Sequence, residues 1–292
     1  MSRFKPWMLL IAVAGTAWML GLWTYPLLRR INTVVEPALM SGTYDEIGRL
    51  VAYPGKTKVD CPAQGKGMGV LLAIGQSNAA NHASQRVVTR HPGAVLNYFE
   101  GTCFAAASPL LGASAEKGEF LTLLADKLVS DGVYRSVVIV SAGIGSSPIA
   151  RWQRDGDLNE KLKATLKELS ARYKVTDVVW HQGESDFDYS TSTKVYLKSF
   201  ASLLETLTES GINAPVFTAI ATRCMAGTPG GNPVAAAQRA LVDNKRIFLG
   251  ADTDNLLSAA DRQSGTCHFT ESGQVKTAAS YAEAIRKHRA GR

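Results

Sequence analysis

The stretch that decides the fold is "LLAIGQSNAANH", residues 71–82, in which a glycine breaks an apolar run and a serine follows between two amides. The run "GVLLAIG" is continuous and apolar, which is typical of a strand buried on both faces of a sheet. A strand that merely turned would more often end in Asn-Gly, Asp-Gly or Pro-Gly. The pattern therefore indicates that Ser77 is held at the carboxyl end of a strand, where open α/β sheets place their sites.

Four more runs have the same apolar, partly β-branched character and predict short buried strands: "SVVIVSAG", "DVVWHQG", "PVFTAIA" and "RIFLGAD". Helical patterns alternate with the strands: "EFLTLLADKLVSDG", "LNEKLKATLKELSARY", "TKVYLKSFASLLETLTESG", "PVAAAQRALVDN" and the closing "TESGQVKTAASYAEAIRKHR". This alternation predicts an α/β fold, a three-layer α/β/α arrangement around a central, mainly parallel five-stranded sheet.

The charge pattern bears on possible partners. The chain has 292 residues and a formal net charge of +7, with its basic residues scattered among acidic ones. No basic block with interleaved aromatic residues occurs, so we predict no nucleic-acid partner. Composition leaves the oligomeric state open.

The amino terminus predicts a membrane segment. Arg3 and Lys5 precede an apolar stretch over 7–28, which Arg29 and Arg30 close. About 20 apolar residues suffice to span a bilayer, whereas a cleaved signal peptide has a shorter core. We therefore predict an uncleaved signal anchor that binds the protein to the membrane, with a cleaved signal as the alternative.

Three segments follow from this pattern. Residues 1–30 form the predicted anchor, residues 31–66 a linker interrupted by proline and glycine, and residues 67–292 the main domain. The main domain is expected to face the periplasm or the exterior.

The cysteines point to the same compartment. All four, Cys61, Cys103, Cys224 and Cys267, follow the predicted anchor, and their even number is typical of a disulfide-permissive environment. Three pairings are possible, and four buried free thiols are the alternative. We favour Cys61 with Cys103 and Cys224 with Cys267, because each pair would tie neighbouring loops around the site argued below.

Polar residues gather where the predicted strands end. The first strand ends in Gly-Gln-Ser-Asn at 75–78, the second in a small-residue loop with Gly145, and the third in "HQGESD" with Gln182 and Glu184. His268 stands just before the last helix. Because the carboxyl ends of parallel strands share one edge, we expect these loops to converge. They would supply a nucleophile, N–H donors, an amide, a carboxylate and a base, the parts of acyl transfer.

Each of these residues alone has a structural interpretation. Ser77 by itself would be a helix cap, because serine is a preferred residue there. His268 would be a hydrogen-bonded structural histidine, and Glu184 a solvated loop acid. The case for a site depends on their order and on their positions at strand ends and helix starts.

The sequence resembles the SGNH-type hydrolases, in the branch that holds sialate O-acetylesterases and related carbohydrate acetylesterases. The resemblance is carried by Gly-Gln-Ser-Asn at 75–78, a glycine-rich block that runs to a tryptophan at 145–152, and His-Gln-Gly-Glu at 181–184. It covers roughly residues 67–286. It implies the SGNH version of a flavodoxin-like fold and a serine esterase that removes O-acetyl groups from a saccharide through an acyl-enzyme.

The resemblance also implies residue roles. Ser77 would be the nucleophile, and His268 the general base and then the general acid. The oxyanion would lie between the N–H groups of Ser77 and Gly145 and the amide of Gln182. We predict no cofactor and no metal, since the five histidines include no His-Glu-x-x-His pattern.

The third member of the triad is missing from its usual place. Many SGNH enzymes carry an aspartate three residues before the catalytic histidine, and here that position is Gly265. We predict that Glu184 orients His268 instead. Asp261 is the second candidate, and a simple dyad of Ser77 and His268 is the third.

Two rival functions fit the same sequence. A polysaccharide O-acetyltransferase would keep the acyl-enzyme and replace water by a sugar hydroxyl, while a non-catalytic carbohydrate-binding protein would keep only the fold. Arg151 and Trp152 either face the sugar or pack into the protein, and we favour packing because aromatic side chains are usually buried.

Overall fold

The computed structural model describes residues 41–224 and 232–291. Residues 42–292 form one compact unit. Its strands are β1 Thr43–Tyr44, β2 Leu50–Ala52, β3 Lys58–Val59, β4 Met68–Gly75, β5 Val95–Phe99, β6 Thr102–Ala105, β7 Ser136–Ser141, β8 Asp177–His181, β9 Val216–Ile220 and β10 Ile247–Asp252. Its helices are α1 Leu121–Ser130, α2 Asp157–Ser170, α3 Glu184–Asp188, α4 Thr193–Glu209, α5 Pro233–Leu241, α6 Thr253–Leu256 and α7 Glu271–Ala290.

The main sheet has eight strands in the order β10-β9-β8-β4-β7-β5-β6-β3. The strands from β10 to β5 are parallel, and β6 and β3 extend one edge in antiparallel fashion. β1 and β2 form a separate antiparallel pair. The prediction of five strands is therefore wrong in number, although all five predicted strands are present.

A hairpin accounts for two of the unpredicted strands. β5 and β6 are joined by Glu100 and Gly101, which both have positive φ. This is the backbone that a two-residue hairpin turn requires, and Asn-Gly or Asp-Gly usually signals it. Glu-Gly is a weaker signal, so the sequence conceals the turn.

Alternation along β4 builds the three layers. Val70, Leu72 and Ile74 lie in one apolar cluster with buried side chains of α2, α4 and α5. Leu71 and Ala73 lie in a second cluster with those of α1 and α7. Successive side chains of a strand point to opposite faces, so helices cover both sides of the sheet. The predicted α/β/α layering is confirmed.

The strand order places the site. Numbered by their appearance in the chain, the six parallel strands run 2-3-1-4-5-6 across the sheet, with β4 as strand 1. The five predicted strands by themselves, in the sheet order β7-β4-β8-β9-β10, run 2-1-3-4-5, which is the flavodoxin order, and β5 is added outside β7. After β4 the chain builds one side of the sheet, with β5 and β7, and then the other, starting with β8. Ligand sites of open sheets form at such a reversal, and Ser77 follows β4 at that point.

Both predicted disulfides are confirmed. Cys61 is bonded to Cys103, and Cys224 to Cys267. The first attaches the segment before β4 to β6, and the second holds the loop that carries His268.

Two remaining predictions concern packing and the membrane. Trp152 is buried, donates its indole N–H to Ser147 Oγ at 2.9 Å and lies edge-on to Trp180, which confirms packing.

The predicted anchor at 1–30 lies outside the described residues. Within the described residues, none of the helices has the length and apolar character to cross a bilayer.

Candidate active site

The end of β4 brings three strand ends together. Gln76 N–H donates to His181 O at 3.0 Å on one side, and Ile144 N–H donates to Gly75 O at 2.9 Å on the other. Gly75 has φ +137°, and a Cβ there would lie 2.1 Å from His181 O. Only glycine fits this close approach. The glycine thus lets the chain turn between the ends of β7 and β8.

Ser77 begins a short helical turn, Ser77–Ala79. Its side chain is mostly buried. Its backbone N–H finds no acceptor among the described residues, as expected for the first N–H groups of a helical turn. Ser77 therefore offers a hydroxyl and an unoccupied N–H donor at the same point.

His268 lies in the loop before α7. The backbone N–H of His268 donates to Thr266 Oγ1 at 3.1 Å, and its backbone carbonyl accepts from the Gln263 N–H at 2.7 Å. Burial lowers the pKa of His268 to about 4, and the nearby charge of Lys117 acts in the same direction. The imidazole is therefore neutral at neutral pH, which is the form a general base needs.

Asn78 connects the loops. Its side-chain N–H groups donate to Glu184 Oε1 at 2.8 Å and to Cys267 O at 3.1 Å. The residue after Ser77 thus touches both the third motif and the residue before His268. The structure brings together the regions of Ser77, Glu184 and His268, as the strand-end pattern predicts.

Glu184 is a buried carboxylate. Burial raises its pKa to about 7, against the opposing hydrogen bond from Asn78. Oε2 has no hydrogen-bond partner within the described residues. His181 Nε2 lies 4.0 Å from Oε1, and burial lowers the pKa of His181 to about 3. Burial therefore favours the uncharged forms of both groups.

Asp261 has very different surroundings. Its carboxylate accepts hydrogen bonds from Ser258, Ser272 and Lys276 at 2.7–2.9 Å. Burial alone would raise its pKa, but these donors hold it well below the usual range. Across the described residues, neither Glu184 nor Asp261 is hydrogen-bonded to the ring of His268. The role of Glu184 in orienting His268 stays a prediction.

Two of the three predicted oxyanion donors, Gln182 and Gly145, are already hydrogen-bonded. Gln182 is fully buried, and its Nε2 donates to Gln76 Oε1, Ser147 O and Asp186 Oδ2. Gly145 N–H donates to Ser114 Oγ at 2.7 Å. Gln182 therefore fixes the strand-end loops from inside in this conformation, and its role at the oxyanion stays a prediction.

Sequence reasoning missed three side chains of this region, Asn78, His82 and Ser114. Asn78 belongs to the quoted Gly-Gln-Ser-Asn motif, so its position could have been weighed. His82 and Ser114 carry no local motif. The described residues hold no group of three His, Cys, Asp or Glu side chains that could bind a metal ion.

Comparisons with known proteins identify the family of the chain. The family profile of carbohydrate esterases described as sialic acid-specific acetylesterases matches residues 68–287. No curated protein matches the sequence.

Solved structures share the fold. An Arabidopsis thaliana protein has a TM-score of 0.57 at 18% identity, over 75% of this chain and 97% of its own. NanS has a TM-score of 0.54 at 17% identity, over 77% of this chain and 98% of the NanS chain. A carbohydrate acetylesterase from Xanthomonas citri has a TM-score of 0.54 at 18% identity, over 77% and 57%. Since the family profile spans well over half of the sequence, the chain belongs to the family of sialic acid-specific acetylesterases and is a carboxylic ester hydrolase.

Proposed function

We propose that the protein is a serine esterase that removes O-acetyl groups from a carbohydrate through an acyl-enzyme on Ser77. One observation carries the proposal. Asn78 binds Glu184 and the carbonyl of Cys267, so the nucleophile turn and the histidine loop are tied together at the reversal of strand order.

The chemistry has two stages. The Ser77 hydroxyl attacks the acetyl carbonyl while His268 takes its proton, and the tetrahedral intermediate collapses as His268 returns the proton to the leaving sugar oxygen. Water then attacks acetyl-Ser77 with His268 again as base. Acetate leaves, and the Ser77 hydroxyl is restored.

The Ser77 N–H is the donor best placed for the oxyanion, because no described residue accepts its hydrogen bond. Loss of one such donor costs about a hundredfold or more in rate. The Gly145 N–H already donates to Ser114 Oγ. It can bind the oxyanion only if it shares this hydrogen bond or gives it up.

The substrate class is supported by the family and by one neighbour. The family is described as specific for sialic acid, and the Xanthomonas citri protein is described as a carbohydrate acetylesterase. An O-acetylated saccharide is therefore the proposed substrate. Membrane attachment through residues 1–30, with the main domain periplasmic or extracellular, is proposed from the sequence alone.

The test is acetate release by the full-length protein, purified in a non-ionic detergent, from 4-nitrophenyl acetate and from an O-acetylated sialic acid. Ser77→Ala is expected to lower kcat/KM by about 10⁴-fold or more on both esters. Ser185→Ala is the matched control, a serine of the third motif outside the proposed chemistry.

Each result decides between functions. Hydrolysis that depends on Ser77 supports the esterase. An inactive, folded protein that transfers acetyl to a saccharide from a donor ester would identify the transferase. Binding of the saccharide without turnover of any ester would identify the carbohydrate-binding protein.

A further inference from the structure

A serine and a histidine outside every sequence motif meet beside the proposed catalytic groups. Ser114 Oγ accepts the Gly145 N–H at 2.7 Å and lies 3.1 Å from His82 Nε2. Burial, then the neighbouring charges of His268 and Lys117, lowers the pKa of His82 to about 3. A neutral His82 can accept a hydrogen bond from the Ser114 hydroxyl at Nε2, while Ser114 Oγ accepts the hydrogen bond from the Gly145 N–H.

The ring of His82 also touches the proposed base. The His82 and His268 rings lie with their centroids 4.9 Å apart, at an interplanar angle of 37°. A Cβ on Gly145 would lie 2.8 Å from His82 Nε2, so the ring packs directly on Gly145. One side chain therefore contacts the general base and the loop of a predicted oxyanion donor.

The pair is held by its backbone. Ser114 N–H donates to Gly143 O at 2.9 Å, and Ser114 O accepts from Asn81 N–H at 3.0 Å. The Asn81 side chain donates to Leu110 O, and its oxygen accepts the Leu110 N–H. These bonds fix Ser114 from both sides.

The carbonyl of His82 is held as well. It accepts from Gln263 Nε2 at 3.0 Å, and Gln263 N–H is bonded to His268 O. The His82 segment is thus attached to the histidine loop through backbone and side chain.

We propose that His82 and Ser114 form a positioning pair for the esterase reaction. Ser114 holds the Gly145 peptide, and His82 holds both the Ser114 hydroxyl and the face of His268. The proposal rests on the proposed function, because it assigns work to the same base and the same oxyanion loop. The pair touches the groups that react and does not itself react.

The effect should appear in the chemical steps. An interaction that holds a base and the loop beside it in place matters most in the transition state, whereas ground-state binding of the ester uses other contacts. A misplacement of about 1 Å can cost about a hundredfold in rate. Loss of the pair should therefore lower kcat and leave KM nearly unchanged.

The experiment measures kcat and KM of the full-length protein on 4-nitrophenyl acetate for four variants. Ser114→Ala is expected to lower kcat about tenfold with KM within about twofold. His82→Phe keeps a ring against His268 but loses the hydrogen bond, and should lower kcat severalfold. In the double variant, His82→Phe should add little to Ser114→Ala, because both act through one chain of contacts. His82→Gln keeps a polar group near the position of Nε2, so it should retain most of the parent kcat, unlike His82→Phe.

A matched histidine–serine pair serves as control. His91 Nε2 lies 2.9 Å from Ser130 Oγ at a separate place on the molecule, and His91→Phe should leave kcat unchanged. The proposal is overturned if Ser114→Ala and His82→Phe both keep kcat within twofold while Ser77→Ala is inactive. If Ser77→Ala is as active as the parent, the proposed function itself fails. Should His82→Phe not fold, the small change Ser114→Ala decides alone.

Discussion

Glu184 and Asp261 are both buried carboxylates that the sequence offers as partners of His268, and their surroundings are opposite. Asp261 is bound by Ser258, Ser272 and Lys276, and its pKa is held low. Glu184 accepts one side-chain hydrogen bond, from Asn78, and burial raises its pKa to about 7. Asp261 closes a capping box at the short turn Ala259–Asp261, whereas Glu184 keeps an oxygen that none of the described residues hydrogen-bonds, next to the nucleophile turn.

The difference shows how the hydrogen-bond donors around a buried carboxylate separate a structural acid from a candidate functional one. A carboxylate that accepts several hydrogen bonds is stabilised as an anion and holds its own loop. A buried carboxylate that accepts one side-chain hydrogen bond can keep a pKa near neutral pH, so it gains or loses a proton easily there. The contacts therefore favour Glu184 as the residue that acts on the site, through Asn78 and the carbonyl of Cys267.

The largest expected effect is on catalysis. Glu184→Ala should lower kcat/KM on an acetyl ester about a hundredfold, because Asn78 loses its anchor beside Ser77. Asp261→Asn, the matched control, should keep kcat/KM within about threefold. Steady-state kinetics on both variants measure this. Equal losses in the two variants would contradict the division of roles.

The next effect is on stability. Asp261→Ala should lower the free energy of unfolding by about 2 kcal/mol, since it removes the acceptor that caps this turn and binds Ser272 and Lys276. The thermal midpoint would then fall by about 4–8 °C. Lys276→Met should cost less than half as much, because that ammonium is half exposed. A midpoint unchanged by Asp261→Ala would refute the structural role.

A third effect appears in the pH dependence of stability. The pKa of Glu184 is raised in the folded protein, so the native state keeps a proton that the unfolded chain releases, and stability falls as pH rises from about 4.5 through about 7. Glu184→Gln cannot titrate. Its thermal midpoint should therefore rise relative to the parent by about 5 °C between pH 4.5 and pH 8.

The pKa of His181 is lowered, so its titration acts in the opposite direction and raises stability as pH rises from about 3 to about 6.5. Asp261→Asn should show the reverse trend, with the parent gaining over the variant as pH rises through the acid range. A pH-independent difference for Glu184→Gln would mean that this carboxyl is ionised in the fold.

The smallest effect concerns His268. Burial lowers its pKa to about 4, so kcat/KM should stay level from neutral pH down to about 5 and fall below about 4. Lys117→Met removes a nearby positive charge and should move this acid limb to higher pH by a few tenths of a unit. An acid limb near pH 7 that is still present in Glu184→Gln would contradict the lowered pKa of His268.

Much of the fold follows from the sequence because long apolar runs such as β4 and β7 report burial on both faces directly. The five predicted strands and the layers rest on such local signals, whereas the pairing of the cysteines follows from the expected convergence of loops around the site. β3 has two residues, and the turn between β5 and β6 is Glu-Gly, so neither carries a signal of comparable strength. Their pairing is set by tertiary contacts.

The convergence of the loops was predictable to a similar extent. Ser77, Glu184 and His268 stand at strand ends or helix starts, and topology alone brings their loops together. The hydrogen-bond partners of Gln182 and Gly145 depend on side chains far away in the chain, such as Ser114. Spacing in a sequence does not report such partners, so the roles of these two residues could not be read from motifs.

The most direct test of the central claim is rapid-quench peptide mass spectrometry of the full-length protein during its first turnover of 4-nitrophenyl acetate. The account predicts one acetyl group on the peptide that contains Ser77, formed with the burst of 4-nitrophenol and lost as acetate appears. Acetate released with no acetylated peptide, or with the acetyl group on another residue, would contradict it.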